Sequence, residues 1–365
     1  MEMETTVRAS MNGGDGQYSY FRNSSGQRRG LEQVKDLINQ GIAEKLDVIQ
    51  LLSSCSPKRF VIADLGSSVG PNTFFAVQNI LDSVQLKYQS YGTSHKVVEF
   101  QVFFNDQISN DFNTLFKNLP LDRQYFVAAV PGAFQGRLFP KSSLHFVHSS
   151  YAIHWLSKVP RDLLDKDSPA YNKGKVYYTN APKEVFEAYS TQFAKDITSF
   201  LNARAQEVVH GGLMALLFMS LQDGVRCSPC NLDAVNDLLG ATLMDMVKEG
   251  LVSEEKVDTF NLPLYNASPQ ELKVLIDKNA CFSIERMETI VRDQGLSDAA
   301  AIKSMILLRY RSGWEGMLSE HFGKDIINDL FDRYAETVLD SGIFSESTSY
   351  KGAAELFLLL KRNDA

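Results

Sequence analysis

The sequence predicts an α/β fold, a mostly parallel sheet flanked by helices, with a helical cap over its ligand edge. Three observations carry that expectation. Apolar runs without alternation, such as Val61-Ile62-Ala63, read as strands buried on both faces. Stretches of helical periodicity lie between those runs, as in β-α-β crossovers. The first run ends in Asp64 and a glycine-bearing turn, Leu65-Gly66-Ser67-Ser68-Val69-Gly70-Pro71-Asn72, at the strand end where open α/β sheets bind ligands.

Residues 1–30 are polar and glycine-rich (Asn12-Gly13-Gly14-Asp15-Gly16, then Ser24-Ser25-Gly26), which predicts no core element and leaves a tail or a lid. Leu31, Val34, Leu37, Ile38, Ile42, Leu46 and Ile49 recur at helical spacing over 31–52. After the first strand, 73–86 predicts a crossover helix. The second strand is expected at 98–104, closed by Asn105-Asp106. The third, at 125–130, leads into Pro131-Gly132-Ala133-Phe134. The fourth, at 144–149, runs into Ser150-Tyr151-Ala152-Ile153-His154-Trp155. A long helix at 183–206 precedes a fifth strand at 211–218, and 281–287 and 355–360 predict late strands. Helical stretches at 221–275 and 296–341 exceed what crossovers need, so they predict the cap.

The first turn admits several readings. Gly66 and Gly70 permit positive φ and close approach of a ligand, and the N–H groups of the next helix face the crevice. The spacing Asp64-x-Gly66-x-x-x-Gly70 suits a nucleoside cofactor without a pyrophosphate. A dinucleotide site wants G-x-G-x-x-G, and the second of those glycines is Ser68 here. The same letters match the G-x-S-x-G nucleophile elbow, with Asp258 and His321 available to complete a triad in chain order. Against that, this turn follows the first core strand, whereas an elbow follows several, and Pro71 suits a helix start. A turn that only reverses the chain is the plain alternative. Asp64 and Asp106 both close neighbouring strands, where a carboxylate can accept ribose hydroxyls or position a cofactor amino group. His154 and Trp155 fall just past a strand end; a lone histidine is more often packing, but beside a Trp N–H and Tyr151 it fits an apolar pocket with a few polar groups. Gln27, carried over by the N-terminal segment, would add an amide donor.

Composition narrows the classes. With 44% hydrophobic residues in 365, the chain can bury a large core. A net charge of -7 argues against nucleic acid as the main partner. No apolar run approaches the roughly 18 residues of a membrane span, and no secretory signal is visible around Glu2 and Glu4. Four cysteines (Cys55, Cys227, Cys230, Cys281) fit free thiols in a reducing compartment, so the cytoplasm is expected. Cys227-Ser-Pro-Cys230 is a C-x-x-C, but no second pair or nearby histidine completes a zinc site. The H-E-x-x-H and P-loop motifs are absent.

Several segments in order are more specific than any one alone: Asn12-Gly13-Gly14-Asp15-Gly16 with Ser19-Tyr20 and Gln27; Ala63-Asp64-Leu65-Gly66 with Gly70-Pro71-Asn72; Phe104-Asn105-Asp106; Val130-Pro131-Gly132-Ala133-Phe134; His148-Ser149-Ser150-Tyr151 with Trp155; Asn172-Lys173-Gly174; Phe260-Asn261-Leu262-Pro263; and His321-Phe322-Gly323. Together they resemble the plant SABATH family of S-adenosylmethionine-dependent methyltransferases, from about Met11 to Leu360. The resemblance implies a Rossmann-like class I methyltransferase sheet with a helical cap, usually as a homodimer. It divides the chain into a lid segment (1–30), a cofactor-binding domain (31–220, 276–295 and 350–365) and a substrate-binding cap (221–275 and 296–349). By motif position it implies that Tyr20, Asp64, Ser67, Asn72, Asp106, Gln107, Ala133, Phe134, Ser150 and Tyr151 surround S-adenosylmethionine. Gln27 and Trp155 match the pair that grips a substrate carboxylate, His154 the specificity position beside it, Tyr151 a shared wall, and Tyr310 an apolar wall residue. No catalytic residue beyond that orienting pair is implied. Some members hold Mg2+ at positions matching Asn172, Asp258, Phe260 and Asn261, although methyl transfer needs no metal. Asn12, Gln107 and Ala133 depart from the family's usual Lys, apolar residue and Ser.

The expected activity is methyl-ester formation on a small plant carboxylic acid. N-methylation of a purine or a pyridine-type acid is the alternative within the family, and a non-catalytic binder of plant acids is the alternative outside it. Neither nucleic acid nor a membrane is expected as a partner.

Overall fold

The computed structural model describes residues 10–53, 58–92, 98–221, 223, 232–290, 298–344 and 353–364. Cys55, Cys227 and Cys230, and with them the C-x-x-C, lie outside the described residues. In chain order the helices are α1 (Tyr20–Asn23), α2 (Ser25–Lys45), α3 (Val48–Leu52), α4 (Pro71–Gln89), α5 (Phe112–Lys117), α6 (Lys183–Glu207), α7 (Leu232–Lys248), α8 (Glu254–Asp258), α9 (Pro269–Asn279), α10 (Ala299–Ser304), α11 (Arg311–Phe322) and α12 (Ile327–Asp340). The strands are β1 (Arg59–Leu65), β2 (Glu99–Asp106), β3 (Phe126–Pro131), β4 (Leu144–Ser150), β5 (Val208–Leu221), β6 (Phe282–Ile290) and β7 (Ala353–Arg362). They form one sheet of seven strands in the order β3-β2-β1-β4-β5-β7-β6. β1 to β5 are parallel, while β7 inserts antiparallel between β5 and β6. The α/β expectation is met.

Strand order reverses between β1 and β4, so a crevice opens at their carboxyl ends, the usual ligand edge of such sheets. The central strands owe their burial to composition: Phe60, Ile62, Ala63 and Leu65 are inaccessible on β1, as are Phe146 and Val147 on β4. One sheet face packs under α2 and α4 through Leu31, Val34, Ile38, Val77 and Ile80. The other packs against α6 and runs on into the cap. Each fully buried Leu, Ile or Phe contributes about 1.5–3 kcal/mol from area removed from water.

Two expectations about the first fifty residues change. The helix read over 31–52 begins earlier, at Ser25, and breaks at Leu46, where Asp47 caps α3 by accepting the Gln50 N–H at 3.0 Å. Residues 20–30, read as a tail or a lid with no core element, are helical on either side of Ser24: Tyr20 to Asn23 form a single turn, and Ser25 to Gly30 open a helix whose Gly26 and Gly30 are buried. The end of the expected lid at residue 30 therefore falls inside α2. The glycines hid this helix, because they weaken propensity yet allow the close packing that makes it.

In the cap, α12 places Ile327, Leu330, Phe331, Tyr334 and Val338 on one buried stripe. Tyr334 Oη donates to the Val235 carbonyl at 2.8 Å and ties α12 to α7. α9 packs instead on α6 and β6, so the expected cap boundary at residue 275 falls inside a helix of the sheet layers. Ser268-Pro269-Gln270-Glu271 starts α9 with a reciprocal capping box. No helix of the described residues is long and apolar enough to cross a membrane.

Candidate active site

A cavity lies over the ends of β1, β2 and β4, between the sheet, the N-terminal segment and the cap. Its floor is made by the turns. Gly66 sits at φ 80°, and a Cβ there would stand 2.3 Å from the Ala152 Cβ, so β1 and β4 can end side by side only with glycine. Ser68 and Tyr151 follow β1 and β4 at φ 51° and 54°, left-handed positions that non-glycine residues occupy mainly where the surroundings enforce them. Asp106 enforces the first: its carboxylate accepts the Ser68 N–H and the Gln107 N–H, each at 2.7 Å. Burial pushes the Asp106 carboxyl up to about 6. Gly66, Ser68, Asp106 and Gln107 all line the cavity.

Asp64 does not line it. It is buried one layer below, taking the His148 Nδ1 at 2.6 Å and the Thr73 hydroxyl, and so locks β1 to β4 and to the start of α4. Ser67, Asn72 and Ala133 also lie outside the lining. Ser67 donates its backbone N–H to Asn105. Asn72 bonds the Ser24 carbonyl at 3.0 Å and the Tyr20 side chain, holding the N-terminal cover to the first helix of the sheet.

That cover is built from the segment expected as a lid. Asn12, one of the departures from the family pattern, uses its amide to reach the Tyr18 carbonyl and the Glu315 carboxylate at 2.9 Å. α1 packs against α11 and the segment before it. Tyr20 and Gln27 line the cavity, and burial raises the Tyr20 phenol far above its ordinary range. Gly30 brings α2 onto Tyr151, since a Cβ there would fall 1.7 Å from the Tyr151 Oη.

Phe134 enters from the loop after β3 and packs edge-on to Phe200. Its loop is pinned by a buried ion pair, Arg204 Nη2 to Glu207 Oε2 at 2.6 Å, with both side chains 0% exposed. Arg204 donates to the carbonyls of Phe134 and Gly136, and Glu207 accepts from the N–H groups of Leu138 and Phe139.

On the other side, Ser150, Tyr151, His154 and Trp155 line the cavity. A single bridge from Trp155 to Leu264, with Tyr265 N–H donating to the His154 carbonyl and Leu156 N–H to the Pro263 carbonyl, sews this loop to the Phe260-Asn261-Leu262-Pro263 segment. His154 and Trp155 stack at 6.2 Å. Burial lowers the His154 imidazole to about 4, so it is neutral at neutral pH. Tyr310 lines the same cavity, edge-on to Trp314 at 4.6 Å. It closes a π-helical segment, Met305–Tyr310, between α10 and α11. Such wide turns recur at functional sites. Arg309, Asp233, Asn236, Asn266 and Trp314 line the cavity too, and none was singled out from the sequence. A usable signal existed for two: Asp233 and Asn236 stand three residues apart, on one face of a helix start, among the apolar Leu232, Ala234 and Val235.

The remaining candidates sit elsewhere. Asp258 accepts from Tyr171 Oη and Gly174 N–H, both at 2.8 Å, and Asn172 Nδ2 donates to Asn261 Oδ1 at 2.7 Å. His321 bonds the Lys256 carbonyl at 2.8 Å and packs on Phe260. Neither Asp258 nor His321 lines the cavity that Ser68 faces, so the drawn hydrolase triad is not assembled. Among the described residues no three His, Cys, Asp or Glu side chains cluster as a metal site would require.

Comparison with known proteins agrees with this architecture. The family model for SAM dependent carboxyl methyltransferases matches residues 6–363. Loganic acid O-methyltransferase of Catharanthus roseus is 44% identical over 362 residues, covering 99% of this chain and 96% of that protein. Paraxanthine methyltransferase 2 of Arabidopsis thaliana is 39% identical, covering 90% and 92%. A solved structure of loganic acid methyltransferase with SAH superposes with a TM-score of 0.89 at 43% identity, covering 97% of this chain and 99% of that one. The chain is therefore a member of the SABATH family of S-adenosylmethionine-dependent carboxyl methyltransferases.

Proposed function

We propose that the protein transfers the methyl group of S-adenosylmethionine to the carboxylate of a small plant acid. The observation that carries this reading is the pairing of Gln27 and Trp155 in one cavity. Neither the Gln27 amide nor the Trp155 indole N–H bonds any described residue, and Gln27 Oε1 is buried without a partner. Neutral donors of this kind can hold one carboxylate oxygen and leave the other exposed to an electrophile. A carboxylic acid has an unperturbed pKa of about 4, so it arrives ionised and needs no general base. What the protein must supply is alignment and exclusion of water, which can be worth several kcal/mol of the barrier.

The cofactor side of the cavity fits the group the family uses. Asp106 offers a carboxylate at the end of β2, Tyr20 and Phe134 line the same side, and the hydroxyl of the lining residue Ser68 is buried without a partner. When bound, S-adenosylmethionine supplies a methyl group activated on a sulfonium. We assign Asp64 and Asn72 to support of this site, through His148 and through Tyr20, and the Ser150 and Gln107 positions to its rim. With purified protein, labelled cofactor and a panel of plant acids, we expect label in a base-labile product. A base-stable methyl on a ring nitrogen would establish the N-methyl reading instead.

Three finer points belong to the same proposal. Asn172, Asp258, Asn261 and the Phe260 carbonyl would give a hard cation oxygen donors alone, and Asn172 Oδ1 is buried without a partner. We assign Mg2+ there as a clamp between the 172–174 and 258–261 segments, with no part in the chemistry. Millimolar Mg2+ should then raise the melting temperature relative to EDTA, and identical melts would remove the assignment. We further place the enzyme as a homodimer in the cytoplasm. Leu121, in the loop before the edge strand β3, and Phe126, which opens that strand, are exposed and offer an apolar face for a second copy, and Cys281 is a free thiol.

A further inference from the structure

Residues 10–19 form a strap that is fastened both to the loop after β2 and to α11. On the loop side, Asp111, whose carboxylate caps α5, accepts the Gly14 N–H at 2.9 Å, and the Ser10 and Ser109 hydroxyls bond each other. On the cap side, the Asn12 N–H donates to the Ser312 carbonyl at 2.8 Å, and Met11 lies against Gly313. The strongest fastening is Arg311, which is only 6% exposed. Its guanidinium grips Glu315 with two nitrogens, at 3.0 and 3.1 Å, and donates to Asn328 Oδ1 on α12 at 2.8 Å. The same guanidinium lies over the Tyr18 ring, 3.7 Å from its centroid, and Glu315 Oε2 also accepts from Asn12 Nδ2 at 2.9 Å. One ion pair on α11 thus holds the strap at two places.

None of these fastening groups faces a ligand: Arg311, Glu315, Asn12 and Tyr18 all lie outside the cavity lining. Their neighbours Met11 and Tyr20 do line it, and the Tyr20 N–H donates to the Asn12 carbonyl at 2.9 Å, so the fastening is passed on to the cover. We propose that Arg311 and Glu315 are positioning residues, a latch that keeps the strap closed over S-adenosylmethionine and sets how fast the cofactor enters and leaves. Because the latch touches nothing inside the cavity, weakening it shifts the opening equilibrium by the same factor with the cofactor bound or absent. Entry and exit then speed up together and affinity stays nearly constant. Damage to the cofactor site would instead raise the exit rate alone. The latch rests on the placement of the cofactor beside Asp106 proposed above.

The test is stopped-flow binding and displacement of S-adenosylhomocysteine on the full-length protein. Trp155 and Trp314, the two tryptophans of the chain, both line the cavity and report by fluorescence. Glu315→Gln keeps an acceptor for Asn12 and removes the charge that orients Arg311, while Tyr18→Leu removes the ring under the guanidinium and leaves α11 whole. Each should raise the entry and exit rate constants together by about tenfold, with Kd held within about threefold. Ser10→Cys with Ser109→Cys works in the opposite direction. Once diamide has joined the two thiols, release of preloaded S-adenosylhomocysteine should slow by at least about tenfold, and a reductant should restore it. An exit rate that rises while entry does not, rates unchanged in both single variants, or equal release with the disulfide formed and reduced overturns the latch. No binding of S-adenosylhomocysteine to the unmodified protein would overturn the cofactor placement and the latch with it, a result that none of the rate outcomes can mimic.

Discussion

Trp155→Phe should lower kcat/KM for the carboxylic acid by about a hundredfold, with KM raised, kcat reduced and cofactor affinity unchanged. Phe keeps an aromatic ring beside His154, where the present stack spans 6.2 Å, and removes only the indole N–H. A hydrogen bond to a charged acceptor contributes about 1.5–3 kcal/mol, and its loss also frees the carboxylate to rotate out of line. Gln27→Ala should act in the same direction. Because the two donors hold one group, the double variant should lose much less than the product of the single losses. Steady-state kinetics with the acid varied at saturating cofactor give the answer, and unchanged kcat/KM in Trp155→Phe would refute the assigned grip. A fall in kcat with KM untouched would mean that the indole acts in the transition state alone.

The parts of this molecule that could be read from its letters are those where local chemistry and tertiary role coincide. Val61-Ile62-Ala63 is apolar because the strand is buried on both faces, so the run and the environment carry the same information. Gly66 is legible for a similar reason: the turn requires positive φ and contact with Ala152 at once. Gln27 and Trp155 read locally as an amide and an indole N–H at a pocket mouth, and only the family resemblance pairs them as a carboxylate grip. Where contact partners are distant, the letters were silent. Asp64 closes β1 as expected, but its neighbour His148 is 84 positions away, and only the parallel register of β1 and β4 turns the carboxylate inwards. Arg309 reaches the cavity because of a π-helical turn, and no residue pattern distinguishes that turn from an ordinary helix. The N-terminal segment misleads for the opposite reason: its glycines argue against a core element, although Gly26 and Gly30 are what let α2 sit against Arg309 and Tyr151.

Glu207→Ala should destabilise the fold by about 3–5 kcal/mol, the usual cost of stranding one member of a buried ion pair. Arg204 has no access to water in the present structure, and burial already pulls its guanidinium below the ordinary range. Removing Glu207 leaves that cation with the carbonyls of Phe134 and Gly136 and the Phe200 ring but without its counter-charge, and leaves the Leu138 and Phe139 N–H groups without their acceptor. The loop they pin carries Phe134 to the cavity, so cofactor affinity should weaken along with stability. Glu207→Gln tests which component dominates. It restores an acceptor for the two N–H groups but not the charge, so it should recover the loop more than the stability. The double change Arg204→Met, Glu207→Leu should do the reverse, because a buried pair replaced by apolar side chains is often neutral while the loop carbonyls and N–H groups lose both partners. Urea unfolding of the three variants, read beside cofactor titrations, separates the two effects. A Glu207→Ala unfolding free energy within about 1 kcal/mol of the parent's at unchanged slope would mean that water or the loop itself rearranges to take up the Arg204 charge, and that Phe134 is held by its packing on Phe200 alone.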